Sequence, residues 1–113
     1  MLGCDLIEIG RIGKAVGRHG EAFLKRILSD RELELYYKRN ASLSFLSGRF
    51  AAKESISKSL KTGIGKYSFK GIEILNDNAG APVVYLCGEL REDIEVSISH
   101  SQTHAMAVSM IMR

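Results

Sequence analysis

The sequence predicts an α+β fold in one domain spanning residues 1–113. Apolar residues with helical spacing dominate the first half of the chain, whereas short alternating runs typical of strands dominate the second half. No repeat, low-complexity tract or linker divides the chain. A domain of this length buries only a modest core, so self-association is a reasonable expectation.

The first half is expected to hold one strand and several helices. Ser29 and Glu32 match a capping box, in which each side chain accepts a hydrogen bond from the backbone N–H of the other residue. Ala52, Ile56 and Leu60 repeat every four residues and predict an apolar helix stripe, with Glu54, Lys58 and Lys61 on the opposite face. The expected elements are a strand over 2–9, a short helix over 10–20, a further turn over 22–28, a helix from 29 to near 40, and a long helix over 42–61.

The second half is expected to hold four strands. Pro82 opens one of them, which is an edge or first-residue position that proline tolerates. Turn-forming residues occupy 76–81 and 101–103. The expected strands are 69–76, 82–87, 95–100 and 104–112, with the last two forming a hairpin.

Composition excludes several classes of protein. No run of about 18 apolar residues occurs, so no membrane span is expected. Residues 1–8 lack a basic segment, which argues against a signal peptide. Cys4 and Cys87, without a CxxC motif, fit a reducing cytoplasm and are expected to be small core residues. The net charge of +3 mildly favours anionic partners without choosing between nucleic acid, nucleotide and acidic protein.

Two carboxylates are candidate metal ligands. Asp5 interrupts an apolar strand, and Glu54 lies on the long helix. Mg²⁺ typically takes one or two carboxylates, with water and phosphate oxygens completing its shell. The alternative is that Asp5 is solvated on an edge strand and that Glu54 forms an ordinary ion pair with Lys58, one helical turn away.

The segment 49–65 is a candidate phosphate site. It carries four cations before the glycine-containing loop 62–65, and such cations with free backbone N–H groups commonly hold phosphates. A solvated basic helix face with a glycine cap is the alternative, and no Walker motif is present. The four cations are Arg49, Lys53, Lys58 and Lys61.

His100 ends a strand beside a turn and follows the run Ser97-Ile98-Ser99. A Ser–His pair for acyl transfer would need a nucleophile-elbow motif and an acidic residue to complete a catalytic triad, and the sequence shows neither. A hydrogen-bonding or ligand-stacking role is therefore favoured over a role as general base.

Four segments in this order resemble the holo-acyl-carrier-protein synthases, the short class of 4'-phosphopantetheinyl transferases. The resemblance covers nearly the whole chain, and its most specific part is the block RFAAKE followed by a lysine and TGIG. The segments are 3–6 with Arg11-Ile12, 26–29 with Glu32-Leu33, 48–65, and 96–100 with Ala105 and Ala107.

The resemblance implies a fold, an activity and a set of site residues. The fold would be that of the phosphopantetheinyl transferases, with an antiparallel sheet and a long central helix. The activity would be transfer of phosphopantetheine from coenzyme A to a serine of apo-acyl carrier protein in fatty acid biosynthesis. By the resemblance, Asp5 and Glu54 bind Mg²⁺, and Lys58 approaches the coenzyme A phosphates. The implied coenzyme-lining positions are Arg49, Lys58, Lys61, Thr62, Gly63, Gly65 and His100.

The resemblance also implies two macromolecular contacts. Arg11, Arg18 and Arg26 match a basic face that docks the acidic carrier protein. Strands of neighbouring subunits would meet in a homotrimer, with active sites between the subunits. Ser55 and Ser59 depart from the alanines usual in the family, and Lys61 departs from a frequent glycine; none of these changes a catalytic position.

Two other classes of function remain open at this stage. A nucleic-acid-binding module would explain the positive charge, but the chain has no Trp and no run of interleaved basic and aromatic residues. A nucleotide-binding regulatory subunit would keep the phosphate loop without the metal. The partners implied by the resemblance are coenzyme A and an acidic carrier protein, and neither nucleic acid nor a membrane is expected as a partner.

Overall fold

The structure is a computed structural model that describes residues 1–60 and 68–112. One strand comes first, the four helices follow, and five strands complete the described residues, as expected for an α+β chain. The strands are β1 (Leu2–Glu8), β2 (Ile72–Asn76), β3 (Pro82–Leu86), β4 (Glu89–Leu90), β5 (Ile94–His100) and β6 (His104–Ile111); the helices are α1 (Ile9–His19), α2 (Glu21–Ile27), α3 (Asp30–Lys38) and α4 (Leu43–Leu60).

The first sheet has the strand order β1-β6-β5, and both pairings are antiparallel. The expected hairpin around 101–103 is confirmed, and the N-terminal strand pairs with its second arm so that Asp5 lies opposite Ala107. Side chains of β6 alternate: Ala105 and Ala107 are fully buried, whereas Met106 and Val108 are exposed. One face of this sheet covers the core, and the other is apolar and faces outward.

The second sheet has the strand order β2-β3-β4, again antiparallel. The expectation that a strand begins at residue 69 is wrong, because β2 begins at Ile72 after a turn in which Gly71 N–H donates to the Ser68 carbonyl. The short strand β4 was not expected. Cys87 and Gly88 both have positive φ and form a tight turn that brings β4 back against β3. Because β4 has only two residues, it is too short to show the alternation of apolar and polar residues by which strands are predicted.

The three short helices lie where the sequence predicts helical structure. Gly20 has a positive φ and separates α1 from α2, so the segment after it is a helix of its own rather than one turn. The capping box of α3 is confirmed: the Glu32 N–H donates to Ser29 Oγ, and the Ser29 N–H donates to Glu32 Oε1.

The long helix α4 is less amphipathic than expected. Ala52 and Ile56 are fully buried and Leu60 is partly buried, as the stripe predicts; of the expected opposite face, Lys58 is exposed and Glu54 is partly buried. The helix packs against the first sheet through one apolar cluster and contributes Leu46, Phe45 and Phe50 to a second cluster with the short helices. A helix between two clusters buries its polar residues too, and these are Ser47, Arg49, Lys53, Ser55, Ser57 and Ser59.

Two further observations bear on the expectations from composition. The expectation that the cysteines are core residues is wrong, because Cys4 and Cys87 are both exposed free thiols. Cys4 lies on β1, and Cys87 lies in the turn after β3, so neither reaches the core. Within the described ranges, no helix is both long and apolar enough to cross a membrane.

Candidate active site

Asp5 and Glu54 lie together because β1 crosses α4 at very short range. A Cβ atom at Gly3 would lie 2.1 Å from the Ser55 carbonyl oxygen, so only glycine permits this approach. The crossing places Asp5, two residues along the strand, beside Glu54, the residue before Ser55. Both carboxylates line a cavity of about 320 Å³, together with Arg11 of α1 and the aromatic rings of Phe23 and Phe50.

The electrostatics of this cavity suit a cation. Burial raises the pKa of the Glu54 carboxyl, and the negative charge of Asp5 raises it further, while Lys58 acts in the opposite direction. Two neighbouring carboxylates repel each other unless a positive charge lies between them. Their oxygen atoms are the ligand type that Mg²⁺ prefers. In the described part of the chain, no group of three or more metal-ligating side chains exists, so the residues present offer a two-carboxylate site and no protein-only cage.

Lys58 belongs to the same site. Its Nζ lies 3.0 Å from Asp5 Oδ1, and it also donates to the Cys4 carbonyl at 3.0 Å. The hydrogen bond to Asp5 raises the pKa of Lys58, and the charge of Asp5 adds to the effect. The ion pair between Glu54 and Lys58, the alternative interpretation of Glu54, is not the one formed, because β1 presents a closer carboxylate to the lysine.

A second cavity, of about 540 Å³, contains Arg49 and His100. Arg49 Nη2 donates to Asn76 Oδ1 at 2.5 Å, and its guanidinium lies over the Phe45 ring, 4.5 Å from the centroid. Burial lowers the pKa of Arg49 to about 10. Its Nε is buried and has no hydrogen-bond partner among residues 1–60 and 68–112. This cavity can accept a group with several oxygen acceptors, because it presents a largely buried guanidinium and the exposed imidazole of His100.

Arg39 is a residue that reasoning from the sequence missed. It lines the same cavity, and its guanidinium lies 5.1 Å from the centroid of the Phe45 ring, which is therefore contacted by two arginines. The available signal was a basic Lys38-Arg39 pair at the end of a predicted helix, immediately before the segment that leads to Arg49. Cations are common at the C-terminal end of a helix, where they interact with the negative end of the helix dipole, so the pair did not stand out as a binding site.

Lys53 does not belong to the phosphate site that the basic segment predicted. Its side chain is fully buried, and its Nζ donates to Glu32 Oε1, to the Ile27 carbonyl and to the Phe69 carbonyl. Burial lowers its pKa, while Glu32 raises it. The expectation is wrong for Lys53 because α4 turns this position towards α2 and α3.

The basic residues of the first helices are exposed. Arg11, Lys14 and Arg18 lie along α1, and Arg26 lies near the end of α2. Arg11 connects this basic surface with the cavity that holds the two carboxylates. The remaining candidates for coenzyme binding, Lys61, Thr62, Gly63 and Gly65, lie outside the described residues.

The structure therefore separates the candidate residues into two groups. Asp5, Glu54 and Arg11 line one cavity, where Lys58 contacts Asp5, and Arg49 and His100 line the other. Among the described residues, no side chain lines both cavities. Residues 49 and 54 are more than one helical turn apart and project in different directions, because each residue of a helix is rotated by about 100° from the one before.

The sequence as a whole is matched by a known family. The sequence model of the 4'-phosphopantetheinyl transferase superfamily matches residues 1–109. The chain belongs to this superfamily. The resemblance stated from the motifs is thereby confirmed.

Individual proteins of the superfamily are similar to the chain over nearly its full length. The chain is 43% identical over 108 residues to a holo-acyl-carrier-protein synthase of Oceanobacillus iheyensis, covering 94% of this chain and 90% of that protein. It is 41% identical over 114 residues to a synthase of the same name from Chlorobium luteolum, with 96% of both chains covered.

Solved phosphopantetheinyl transferase structures have the same fold. The Helicobacter pylori holo-acyl-carrier-protein synthase in complex with coenzyme A superposes with a TM-score of 0.86 at 36% identity, covering 98% of this chain and 99% of that one. A Bacillus anthracis synthase in complex with coenzyme A (3',5'-ADP) gives a TM-score of 0.82 at 37% identity, covering 97% and 93%. The α+β fold predicted from the sequence is confirmed by these superpositions.

Proposed function

We propose that this chain, as one domain over residues 1–113, transfers the 4'-phosphopantetheine group of coenzyme A to a serine of an apo-acyl carrier protein. The reaction releases 3',5'-ADP and serves fatty acid biosynthesis in the cytoplasm. The observation that carries the proposal is the cavity in which Asp5 and Glu54 face each other beside the basic helix α1. The similar proteins named as holo-acyl-carrier-protein synthases support it, and two exposed free thiols fit a reducing compartment.

Asp5 and Glu54 would hold Mg²⁺ at this cavity. When bound, the ion supplies Lewis-acid polarisation of the phosphoryl oxygens and neutralises charge that develops during phosphoryl transfer. The fit rests on the oxygen ligands, on the raised pKa of Glu54, which comes first from burial and then from the charge of Asp5, and on a cavity with room for water and phosphate as further ligands.

The chain's own side chains would bind and orient the reactants. Lys58 would place its ammonium against the phosphate that departs with 3',5'-ADP and stabilise the charge that accumulates there. The Glu54 carboxylate, partly buried and close to Asp5, would accept the proton of the carrier serine, directly or through a water molecule. The serine oxygen then bonds to the β-phosphorus of coenzyme A while the pyrophosphate bridge breaks.

The nucleotide end of coenzyme A would bind in the second cavity. Arg49 and His100 are candidates from the sequence, and Arg39 joins them because it lines the same space and shares the Phe45 ring with Arg49. Guanidinium groups suit phosphate because their N–H groups form a fork that matches its oxygens. Lys61, Thr62, Gly63 and Gly65 are proposed to complete this binding.

The carrier protein would dock on the exposed cations of α1 and α2. Arg11 and Arg18 are seven residues apart and so share a helix face, and Arg26 follows on the next helix. An acidic surface would be attracted to this face, and Arg11 would lie where the carrier serine approaches the two carboxylates.

We further propose that the active protein is a homotrimer with sites between subunits. Leu6, Met106 and Val108 form an outward apolar face where β1 pairs with β6, and their exposed fractions are 66%, 42% and 42%. Burying this face between subunits would remove it from water. Within one chain, the carboxylate cavity and the nucleotide cavity have separate linings. A site shared between subunits would bring the carboxylate cavity of one protomer towards the nucleotide cavity of another.

The proposal is tested by intact mass spectrometry. The protein is incubated with an apo-acyl carrier protein, coenzyme A and Mg²⁺, and the carrier is expected to gain the mass of one phosphopantetheine group. Addition of a chelator and the Glu54→Gln variant are the matched controls, and both should leave the carrier unmodified. Tight binding of coenzyme A without any gain in carrier mass would instead identify a nucleotide-binding regulatory subunit.

A further inference from the structure

The ammonium of Lys58 is bonded to one oxygen of Asp5, the carboxylate that is also a candidate metal ligand. Its Nζ is 3.0 Å from Asp5 Oδ1 and 3.0 Å from the Cys4 carbonyl oxygen, so both contacts of the ammonium are to β1. Asp5 is shielded, with 17% of its side chain exposed, whereas 54% of the Lys58 side chain is exposed. One partner of the pair is thus held on a strand, and the other can move.

We infer that Lys58 is the internal counter-ion of Asp5 in the coenzyme-free protein and that a divalent cation competes with it for this carboxylate. The inference rests on the proposed function for the identity of the two ligands, Asp5 and Glu54. It goes further by assigning Lys58 two alternative partners, the Asp5 carboxylate before the cation binds and a coenzyme phosphate afterwards.

The contrast with Lys53 shows why this exchange is possible. Lys53 is fully buried and donates three hydrogen bonds to protein oxygens, so its removal from Glu32 would leave a charge stranded in the core. Lys58 donates two hydrogen bonds at the surface, and water can replace both when its ammonium leaves. A lysine side chain has a flexible four-carbon stem, which allows the ammonium to reach a nearby phosphate without movement of the helix.

A competing counter-ion couples the cation to coenzyme A. In the coenzyme-free protein, cation binding must displace the ammonium from Asp5, so the apparent affinity is reduced. Once displaced, the ammonium is available to a phosphate, and coenzyme A therefore binds more tightly. Linkage requires the effect to be reciprocal, so coenzyme A also raises the affinity for the cation.

The test measures Mn²⁺ binding to the coenzyme-free protein by electron paramagnetic resonance, which needs no turnover. Lys58→Met is expected to tighten Mn²⁺ binding by roughly 1.5- to fivefold, the range that corresponds to loss of one ion pair at a partly exposed site. Arg11→Met is the matched control, because Arg11 lines the same cavity as Asp5 and Glu54 but forms no ion pair with either within the described ranges. A much smaller change is expected for it.

Three results would overturn the inference. The first is a Mn²⁺ affinity that Lys58→Met leaves unchanged or weakens. The second is the absence of Mn²⁺ binding in both the parent protein and Lys58→Met. The third is equal tightening by Arg11→Met, which would show that the overall charge of the cavity causes the effect. Far-UV circular dichroism of each variant establishes that the fold is retained. The carrier mass assay separates this inference from the proposed function. If the parent protein loads the carrier but Lys58→Met binds Mn²⁺ no more tightly, only the inference is contradicted. If Lys58→Met binds Mn²⁺ more tightly but the parent protein does not load the carrier, only the proposed function is contradicted.

Discussion

Lys53 Nζ lies 2.5 Å from Glu32 Oε1, and both side chains are fully buried. Lys53 also donates to the Ile27 carbonyl at 2.7 Å, and the Ile74 N–H donates to the other oxygen of Glu32 at 2.9 Å. The pair therefore joins α4 to the end of α2, to the start of α3 and to the second sheet. Glu54 is the next residue on α4, so this buried network also fixes the helix that carries a candidate metal ligand.

Replacing Lys53 is expected to cost much of the protein's stability. Lys53→Met should lower the free energy of unfolding by about 3–5 kcal/mol, because it leaves the Glu32 carboxylate buried without a counter-charge. Urea denaturation followed by circular dichroism measures the change. The matched control is Lys58→Met, whose pair with Asp5 is partly exposed and should contribute no more than about 1 kcal/mol. Equal losses for the two variants would contradict the assignment of Lys53 to the core.

The two carboxylates of the first cavity are expected to be needed for turnover and not for folding. Asp5→Asn and Glu54→Gln should each reduce carrier loading by at least about 100-fold, since a cation with two protein ligands cannot spare one. Loading is measured by intact mass at limiting Mg²⁺, and the urea midpoint reports the fold. Glu95→Gln removes an exposed carboxylate from β5 and serves as the control. Normal loading by either site variant would remove the metal assignment.

The basic face of α1 is expected to act on the carrier protein alone. Reversing Arg11 and Arg18 to Glu should raise the KM for the carrier roughly tenfold or more, because each exposed charge pair is worth about 0.2–1 kcal/mol and reversal adds repulsion. The KM for coenzyme A should barely change. Lys38→Glu reverses an exposed charge on α3 and is the matched control. Loss of coenzyme A affinity with an unchanged carrier KM would show that the basic residues are divided wrongly between the two sites.

The outward face of the first sheet is expected to hold the subunits together. Val108→Glu places a charge on this face and should convert a trimer into monomers, because an unpaired charge is costly to bury in an interface. Multi-angle light scattering measures the mass of the assembly at micromolar concentration. Leu90→Glu, at an exposed apolar position on β4, is the control and should leave the assembly intact. A monomeric parent protein would contradict both the trimer and the shared sites.

Glu73 is expected to make stability fall in acid. Burial alone would raise its pKa, but hydrogen bonds from Arg31 and Ser29 and the charge of Arg31 lower it overall. A carboxyl with a lowered pKa in the folded state contributes stability above the ordinary glutamate pKa of about 4.3, and this contribution is lost as pH falls through the folded-state value. Its size should stay below about 1 kcal/mol because Arg31 is largely exposed.

The measurement for Glu73 compares urea midpoints of the parent protein and Glu73→Gln at neutral pH and in acid below the glutamate range. The parent protein should lose more stability between the two conditions than the variant does. Glu34→Gln, at an exposed carboxylate on α3, is the control and should follow the parent protein. Identical acid sensitivity of the parent and Glu73→Gln would show that this carboxyl does not titrate differently in the folded state.

Local patterns were sufficient to predict much of the fold. The capping box at Ser29 and Glu32 depends on residues three apart, and the last hairpin depends on alternation around a short turn, so both are visible in the sequence. The same holds for α4, whose length and main apolar stripe follow from a repeat of four residues. Its second buried side could not be predicted, because it depends on helices that fold back from distant positions.

The site was predicted unevenly for the same reason. Motif order placed Asp5 and Glu54 on the elements that the structure brings together. Lys53 and Lys58 lie in the same basic run, and nothing in their spacing reveals that one is buried against Glu32 while the other contacts Asp5. The expectation of a core position for Cys4 followed from the small apolar character of a free cysteine, whereas alternation along β1 places it on the exposed face. Arg39 was missed because its role depends on the Phe45 ring that it shares with Arg49.

Gly3 has a consequence for how the sequence can vary. Its Cα leaves no room for a side chain, because a Cβ would lie 2.1 Å from the Ser55 carbonyl and 2.9 Å from the Ser59 amide nitrogen, and neither backbone atom can move without moving α4. Even alanine would force the strand away from the helix and carry Asp5 with it. In a saturation mutagenesis screen for carrier loading, position 3 should therefore tolerate no replacement, although glycine contributes no atom to the chemistry.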